Sequence, residues 1–519
     1  MFLNKLNSFY GGIDCISMKT DKSSSQLNYL TLPKKFLVLV DKKVVLNKKI
    51  VVNLGQTVLR GQILALGLKD IAPIHSPTSG TIVDIYKKQF NFFSNKWFGI
   101  IDIKSDGYDK WIHRISTRDY KNLSCNKLIK LIYDSGIIGL GGSGFLSSKK
   151  LKCALKSKIL HTLVVNAAES EPYITSDDCL IKNFSDEIIQ GCQIIKWILK
   201  VKRVLIAIED DKTIAYIAIK KSMQHLPDFN VQKIKRRYPS GSSKQLVKTL
   251  FNKEVPLGKH AIDLGIIIFN VATIFSIKRA VLNGEPLTER IVTLSNIDLS
   301  FQKNILIKIG TPIDYVSQEY NIDIKRNHCI VGGPITGVII DDLKFSVLKT
   351  SNSILYSKST FKDNVVERPC IRCTACSDAC PISLLPEQLY FYSKSFNHDK
   401  SKKYHINECI ECGICEQVCP SDIPLLTYFR KEKLKLSEMI FKKNISKKFK
   451  KLFMSRQKRL YSSGLMNENI MYSGHILNER NRKNTIKYKL VEKTSLKKMK
   501  RVRKKILEAS INRAMLKKH

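Results

Sequence analysis

Apolar and polar residues alternate in short stretches between residues 31 and 110. The short β-like stretches are 36–40, 51–58, 61–65 and 76–82. Glycine-containing turns separate these stretches, and alternation of this kind is typical of strands that bury one face. We therefore predict a small all-β unit over residues 31–110, preceded by an irregular, Ser-rich leader at residues 1–30.

The apolar pattern changes from residue 125 onward. Runs at 162–165 and 203–208 have the length of buried strands, and amphipathic helices are predicted at 127–134, 188–199 and 213–223. Strands that alternate with helices favour a parallel sheet covered by helices. We predict an α/β domain at 125–256 and, from short strands and glycine turns, a second β region at 257–350. The predicted fold class is multidomain α/β + β.

The cysteines add a separate module. Eight of the fourteen lie in two runs with the same spacing, Cys-x2-Cys-x2-Cys-x3-Cys-Pro: Cys370, Cys373, Cys376 and Cys380, then Cys409, Cys412, Cys415 and Cys419. Such runs bind two [4Fe–4S] clusters in bacterial ferredoxins, where the fourth cysteine ligates the other run's cluster. Zinc knuckles need only two Cys-x2-Cys pairs and leave the third cysteine and the proline unexplained. We predict a two-cluster ferredoxin-type domain at 360–430.

Charge is concentrated at the carboxyl end of the chain. Of the net charge of +43, about half belongs to residues 431–519, which hold 28 Lys or Arg against 6 Glu. No nucleic-acid-binding motif accompanies it, so we predict no nucleic-acid partner. We predict a basic, helical or disordered tail that is solvated or touches anionic lipid or an acidic partner. The apolar stretch 264–277 is too short to span a membrane.

A glycine-rich loop indicates a second chemical site. Gly139, Gly141, Gly142 and Gly144 lie just before Lys149 and Lys150. Closely spaced glycines let the backbone approach a phosphate, although a simple tight turn gives the same pattern. Three further patches follow along the chain: 166–173 with Asn166, Glu169 and Glu171, then 238–241, then 270–273 with Asn270 and Thr273. Acidic residues after a strand lie where open α/β sheets bind nucleotides.

These four patches resemble the flavin mononucleotide (FMN) and NADH site of the complex I flavoprotein subunit. Residues 31–110 resemble a barrel-sandwich hybrid domain. The order of all these segments resembles the C subunit of the Rnf/Rsx ion-translocating electron-transport complexes. Two positions differ from the family pattern: Leu146-Ser147 replaces Pro-Thr after the loop, and Ser242-Ser243 replaces an acidic position.

The resemblance implies a role for each patch. The four loop glycines would line the FMN phosphate, with Lys149 or Lys150 near it. Asn166, Glu169 and Glu171 would contact the flavin or nucleotide sugar, and Asn270 and Thr273 would lie under the isoalloxazine ring. The resemblance also implies a β-grasp soluble-ligand-binding domain over 257–350.

The implied function is an oxidoreductase subunit of an ion-translocating complex. It would take electrons from NADH through FMN and two [4Fe–4S] clusters, and pass them to integral-membrane and flavin or iron–sulfur subunits. No secretory signal opens the chain, and the resemblance implies a peripheral position on the cytoplasmic side of the inner membrane. The alternative function is an iron–sulfur electron-transfer scaffold without NADH oxidation. No residue of the chain is predicted to act as an acid, base or nucleophile.

Overall fold

The computed structural model describes residues 8–14, 26–90, 96–298, 301–323, 327–358 and 366–462. Residue contacts divide the chain into two units, Met1–Lys433 and Leu434–His519. The first unit contains the sheets and both cysteine runs. None of the described helices is long and apolar enough to cross a membrane.

The amino-terminal region forms small antiparallel sheets. Its elements are β1 (Leu27–Tyr29), β2 (Lys35–Val40), α1 (Lys42–Leu46), β3 (Thr57–Val58), β4 (Ile63–Ala65), β5 (Ile74–His75), β6 (Gly80–Phe90) and β7 (Lys96–Ser105). One sheet has the order β2-β7-β6-β3, and β4 pairs with β5. Alternate residues of the strands, including Phe36, Val38, Ile101 and Ile103, fill the core between them. The residues at alternate positions therefore form the core-facing side of these strands.

A parallel sheet follows, with helices packed against it. Its elements are α2 (Cys125–Asp134), α3 (Ser147–Leu155), β8 (Thr162–Ala167), α4 (Ser176–Leu199), β9 (Arg203–Glu209), α5 (Thr213–Ser222), β10 (Phe229–Ile234), α6 (Ser243–Phe251), β11 (Ile266–Asn270) and α7 (Val271–Asn283). The strand order is β10-β9-β8-β11, and every pair is parallel. The sheet continues past residue 256, where the sequence placed the boundary, because β11 pairs with β8.

The third sheet combines residues from distant parts of the chain. Its remaining elements are β12 (Glu289–Asn296), β13 (Phe301–Lys308), α8 (Ile313–Glu319), β14 (His328–Val331), β15 (Val338–Ile340) and β16 (Ser353–Ser357). The order is β1-β13-β12-β16-β14-β15. Strand β1 comes from the predicted irregular leader and pairs in parallel with β13. That part of the leader prediction was wrong, because the three-residue strand is too short to give a sequence pattern.

Short helices connect the cysteine loops. They are α9 (Ala375–Asp378), α10 (Pro386–Lys394), α11 (His398–Lys403) and α12 (Ile414–Gln417), followed by the long helix α13 (Leu425–Ser462). Helices α9 and α12 begin within equivalent parts of the two cysteine runs, and their residues contact each other. The two runs therefore fold as paired halves of one module.

Candidate functional site

The eight cysteines of the two runs form two sets, each around its own cavity. Cys380, Cys409, Cys412 and Cys415 line one cavity and are called here the Cys412 set. Cys370, Cys373, Cys376 and Cys419 line the other and are called the Cys376 set. Among the described residues, no three His, Cys, Asp or Glu side chains are grouped as ligands of a single metal ion. Each set takes three cysteines from one run and one from the other, as the spacing predicts, and provides the four thiols that a [4Fe–4S] cluster requires.

Five of the eight thiols lie in environments that disfavour their ionisation without a bound cation. Burial raises the pKa of Cys412 to about 12. Burial raises the pKa of Cys376 to about 11, and the Glu387 carboxylate, 3.7 Å from its Sγ, adds to the increase. Iron supplies the positive charge that offsets these costs, so cluster binding would release thiol protons. The backbone N–H of Glu411 also donates to Cys409 Sγ at 3.4 Å. These surroundings fit thiolate ligands of a cluster.

The beginning of the described chain lies against the Cys412 set. The N–H of Gly12 donates to the carbonyl of Ala379 at 2.9 Å, and Ile13 forms an antiparallel bridge with Tyr238. Gly11 has a φ of +66°, and a Cβ added there would lie 2.7 Å from the carbonyl of Cys380. The segment 8–14 therefore joins the cysteine module to the α/β domain. Sequence reasoning missed it, and its signal is the pair of adjacent glycines within the leader.

The α/β domain contacts the same cysteine set through the patch at 238–241 and helix α6. The hydroxyl of Tyr238 donates to the carbonyl of Cys412 at 2.7 Å, and Gln245 Nε2 donates to the carbonyl of Pro381 at 2.8 Å. Lys244 forms an ion pair with Glu408, one residue before Cys409. The Cys412 set thus adjoins the α/β domain. In the other set, the side chain of Cys373 is exposed.

The glycine loop packs on the start of helix α7. A Cβ added at Gly141 would lie 3.1–3.2 Å from the side chain of Asn270, which caps α7 by accepting from the N–H of Ala272 at 3.0 Å. The hydroxyl of Thr273 accepts from the N–H of Leu140 at 2.9 Å. Gly142 has a φ of +92°, and a Cβ there would meet nothing within 4 Å. The loop is therefore held from the α7 side, while Gly142 adjoins open space.

A buried arginine, which the sequence did not indicate, also holds this loop. Arg290 Nη2 donates to the carbonyl of Leu140 at 3.3 Å, and its Nη1 donates to the carbonyl of Lys349. Burial lowers the pKa of Arg290 to about 10, although Asp177 and Glu169 oppose that effect. A cavity of about 280 Å³ adjoins the loop here, and Leu140, Asp177, Ala272 and Arg290 contribute to its lining.

The two candidate lysines occupy different environments. Lys149 is 43% exposed at its side chain and forms an ion pair with Asp70, at 2.6 Å. Lys150 is partly buried, donates to the carbonyl of Ile268 and lies 4.8 Å from the centre of the Phe269 ring. Burial lowers the pKa of Lys150 to about 8, and no carboxylate pairs with it among the described residues. Nearby, the buried hydroxyl of Ser147 has no hydrogen-bond partner among the described residues. A cation without a carboxylate partner and a hydroxyl without a hydrogen-bond partner, both in the described helix that follows the glycine loop, fit a phosphate ligand.

The two glutamates of the patch 166–173 make structural contacts. Glu169 Oε1 accepts from the hydroxyl of Ser176 and the N–H of Asp177, both at 3.0 Å, and so caps helix α4. Glu171 accepts from the N–H groups of Ile335 and Thr336 at 3.1 and 2.9 Å. These carboxylates fasten α4 and the third sheet to the site. Their predicted contact with a nucleotide or flavin sugar stays a prediction.

The two asparagines connect the glycine loop to the cysteine module. Asn166 and Asn270 are register partners at the ends of β8 and β11. Asn270 packs on Gly141, and Asn166 Nδ2 donates to the carbonyl of Gly241 at 2.8 Å. Gly241 belongs to the same patch as Tyr238, which reaches Cys412. The four patches that are dispersed in the sequence therefore lie together.

The fold and these sites define a multidomain electron-transfer protein with a flavin domain and iron–sulfur ligands. Three family models match parts of the chain: the RnfC barrel sandwich hybrid domain at 7–108, the Nuo51 FMN-binding domain at 132–279 and the 4Fe-4S dicluster domain at 369–423. These matches confirm that the chain contains barrel-sandwich, FMN-binding and iron–sulfur domains.

Whole-chain relatives identify the family. The C subunit of the ion-translocating oxidoreductase complex of Buchnera aphidicola subsp. Baizongia pistaciae is 52% identical over 88% of this chain and 90% of its own length. The protein of the same description from Buchnera aphidicola subsp. Acyrthosiphon pisum is 45% identical over 84% of this chain and 92% of its length. That from Erwinia tasmaniensis is 40% identical over 88% of this chain and 57% of its length. The chain belongs to the RnfC family, the C subunits of ion-translocating oxidoreductase complexes, which confirms the resemblance found in the sequence.

Proposed function

We propose that this chain is the electron-input subunit of an ion-translocating oxidoreductase complex. Electrons from NADH would enter at the α/β domain, with FMN as its cofactor, and leave through two [4Fe–4S] clusters bound by the two cysteine sets. The receivers would be integral-membrane and flavin or iron–sulfur subunits of the same complex. The chain would be peripheral, on the cytoplasmic side of the inner membrane. The six-stranded third sheet would be its β-grasp soluble-ligand-binding domain.

The observation that carries this proposal is the continuous contact between the glycine loop and one cysteine set. Loop residue Gly141 packs on Asn270, Asn270 is the register partner of Asn166, and Asn166 binds the patch that reaches Cys412. Electron transfer requires closely spaced centres, and this contact brings the Cys412 set near the flavin domain. We infer that the Cys412 set receives electrons first. The Cys376 set, with its exposed Cys373, would pass them out of the protein.

The residues at the loop support FMN rather than a flavin without phosphate. Lys150 would pair with the phosphate, while Gly142 and Gly144 would let the backbone approach it. Asn270 and Thr273 would then act by holding the loop and the start of α7 in place. FMN supplies the exchange between a two-electron hydride and one-electron carriers. Lys149 is a weaker candidate than Lys150, because its exposed side chain is paired with Asp70.

One observation favours the alternative function, a scaffold without NADH oxidation. Glu169 and Glu171, the two acidic residues of the patch 166–173, already accept hydrogen bonds from α4 and from Ile335 and Thr336. Ser242 and Ser243 also replace an acidic position at the start of α6. Fewer carboxylates are therefore left to bind a nucleotide sugar. In this alternative, electrons would reach the clusters from another subunit.

The experiment that separates the two functions is a visible spectrum of the anaerobically purified chain before and after NADH. The proposal predicts about one FMN per chain, and flavin absorbance that NADH bleaches and air restores. Cys376→Ala is the control, because it removes a cluster ligand and should leave bleaching of the flavin intact. Flavin that dithionite reduces but NADH does not would establish the scaffold function instead.

A further inference from the structure

Helix α13 carries an apolar stripe in a strongly basic segment. Within the second unit, Phe441, Ile445, Phe449 and Leu452 follow one another at intervals of four, four and three residues. This spacing places them on one side of the helix. The side chains of Phe441 and Phe449 are 65% and 66% exposed, and Leu452 is 54% exposed. A continuous row of exposed phenylalanine and aliphatic residues is costly in water.

The charges around the stripe have one sign. Residues 439–462 contain nine Lys or Arg and no Asp or Glu: Lys442, Lys443, Lys447, Lys448, Lys450, Lys451, Arg456, Lys458 and Arg459. At 100° per residue, Lys442 and Lys448 flank the stripe, while Lys443, Lys447, Lys450 and Lys451 lie on the remaining surface. The flanking lysines can extend their charged ends away from an apolar surface on which their stems lie.

We propose that this face of α13 binds the surface of a bilayer that contains anionic phospholipid. The phenylalanine stripe would enter the boundary between headgroups and acyl chains, and the lysines would lie in the negative field of the headgroups. Lysine predominates over arginine, and its compact charge suits a diffuse field, whereas binding to carboxylates of a protein favours the two-pronged contacts of arginine. An acidic protein is therefore the less favoured occupant of this face. The proposal uses neither the flavin nor the clusters.

The test is flotation of the full-length chain with lipid vesicles. One set of vesicles is phosphatidylcholine alone, and the other contains about 30% phosphatidylglycerol, both at about 0.1 M salt. We expect at least about tenfold stronger binding to the anionic vesicles, reduced several-fold at about 0.5 M salt. Equal binding to both vesicle types, or no binding to either, would overturn the proposal.

A matched pair of variants separates the stripe from the general charge of the tail. Phe441→Ser with Phe449→Ser should weaken binding to anionic vesicles by about tenfold or more, because both aromatic residues of the stripe are lost. Met439→Ser with Met454→Ser is the control. Its binding to anionic vesicles should stay within about twofold of that of the original chain, since these exposed methionines lie off the stripe. Both variants keep every charge of the tail. If the phenylalanine variant binds as well as the control, the stripe is not the lipid-binding surface.

Discussion

The side chain of Lys150 offers a sharp test of the flavin site, because it is a partly buried cation without a carboxylate partner. Replacement by methionine removes the charge and keeps much of the apolar stem. A charged hydrogen bond to a phosphate contributes about 1.5–3 kcal/mol, so Lys150→Met should weaken FMN binding about 10- to 150-fold. Lys149→Met is the matched control. We expect its FMN affinity to stay within about twofold of that of the original chain, because Lys149 is on the surface.

The lowered pKa of Lys150 predicts the direction in which FMN affinity changes with pH. Burial lowers the pKa of Lys150 from 10.5 to about 8 in the flavin-free protein. Lys150 is therefore mostly charged at pH 7 and mostly neutral at pH 9, and FMN affinity should fall about tenfold between these values. In the flavin-free protein, the buried charge of Lys150 lowers the free energy of unfolding by up to about 3 kcal/mol. This loss of stability disappears as pH rises from about 8 towards 10.5. Lys150→Met should therefore not lower the melting temperature of the flavin-free protein at pH 7.

Riboflavin distinguishes a phosphate contact from a ring contact in this experiment. Riboflavin has the same isoalloxazine ring as FMN, and the ring loses its proton over the same pH range, but riboflavin has no phosphate. Fluorescence titration of the flavin-free protein at pH 7 and pH 9 should show the steep pH dependence for FMN alone. Lys150→Met should lose most of the preference for FMN over riboflavin. If that variant still prefers FMN over riboflavin as strongly as the original chain, Lys150 does not hold the phosphate.

Three further outcomes are expected. Cys376→Ala should lose about half of the iron and keep the flavin, and full iron content would mean that the ligand set is wrong. Gly141→Val should release flavin, because a Cβ there already lies 3.1–3.2 Å from the side chain of Asn270, and unchanged flavin occupancy would contradict that placement. Gly11→Ala should disturb the electron paramagnetic resonance signal of the Cys412 set's cluster, because its Cβ would lie 2.7 Å from Cys380. Gly55→Ala is the control, since Gly55 also has a positive φ but nothing within 4 Å of an added Cβ. If the two variants give the same electron paramagnetic resonance signal, segment 8–14 has no role at this cluster.

The sequence is most informative where local spacing itself determines geometry. Cysteines separated by two residues must lie on one tight loop, so both runs and their exchange of Cys380 and Cys419 are expected from the sequence alone. The alternation over 31–110 and the apolar strands at 162–165 and 203–208 are also local signals. The two apolar strands agree with β8 and β9 within two residues at each end, whereas the stretches 51–58 and 76–82 only overlap β3 and β6.

The sequence is less informative where a role depends on distant contacts. Lys149 and Lys150 are neighbours, yet the 100° turn between successive helical residues puts one on the surface and the other against strand β11. Glu171 looks like a nucleotide ligand until its contacts with Ile335 and Thr336, more than 160 residues away, are known. Strand β11 was assigned to the wrong region because its partner, β8, lies about 100 residues earlier. Pairing between strands that are distant in the sequence gives no signal in the local pattern of apolar and polar residues.

The two crossed cysteine sets of this chain are proposed to bind one [4Fe–4S] cluster each. Iron and acid-labile sulfide in anaerobically purified protein test this proposal most directly. We expect about eight of each per chain, four for each cubane. Zinc in place of iron, or iron without sulfide, would contradict the account.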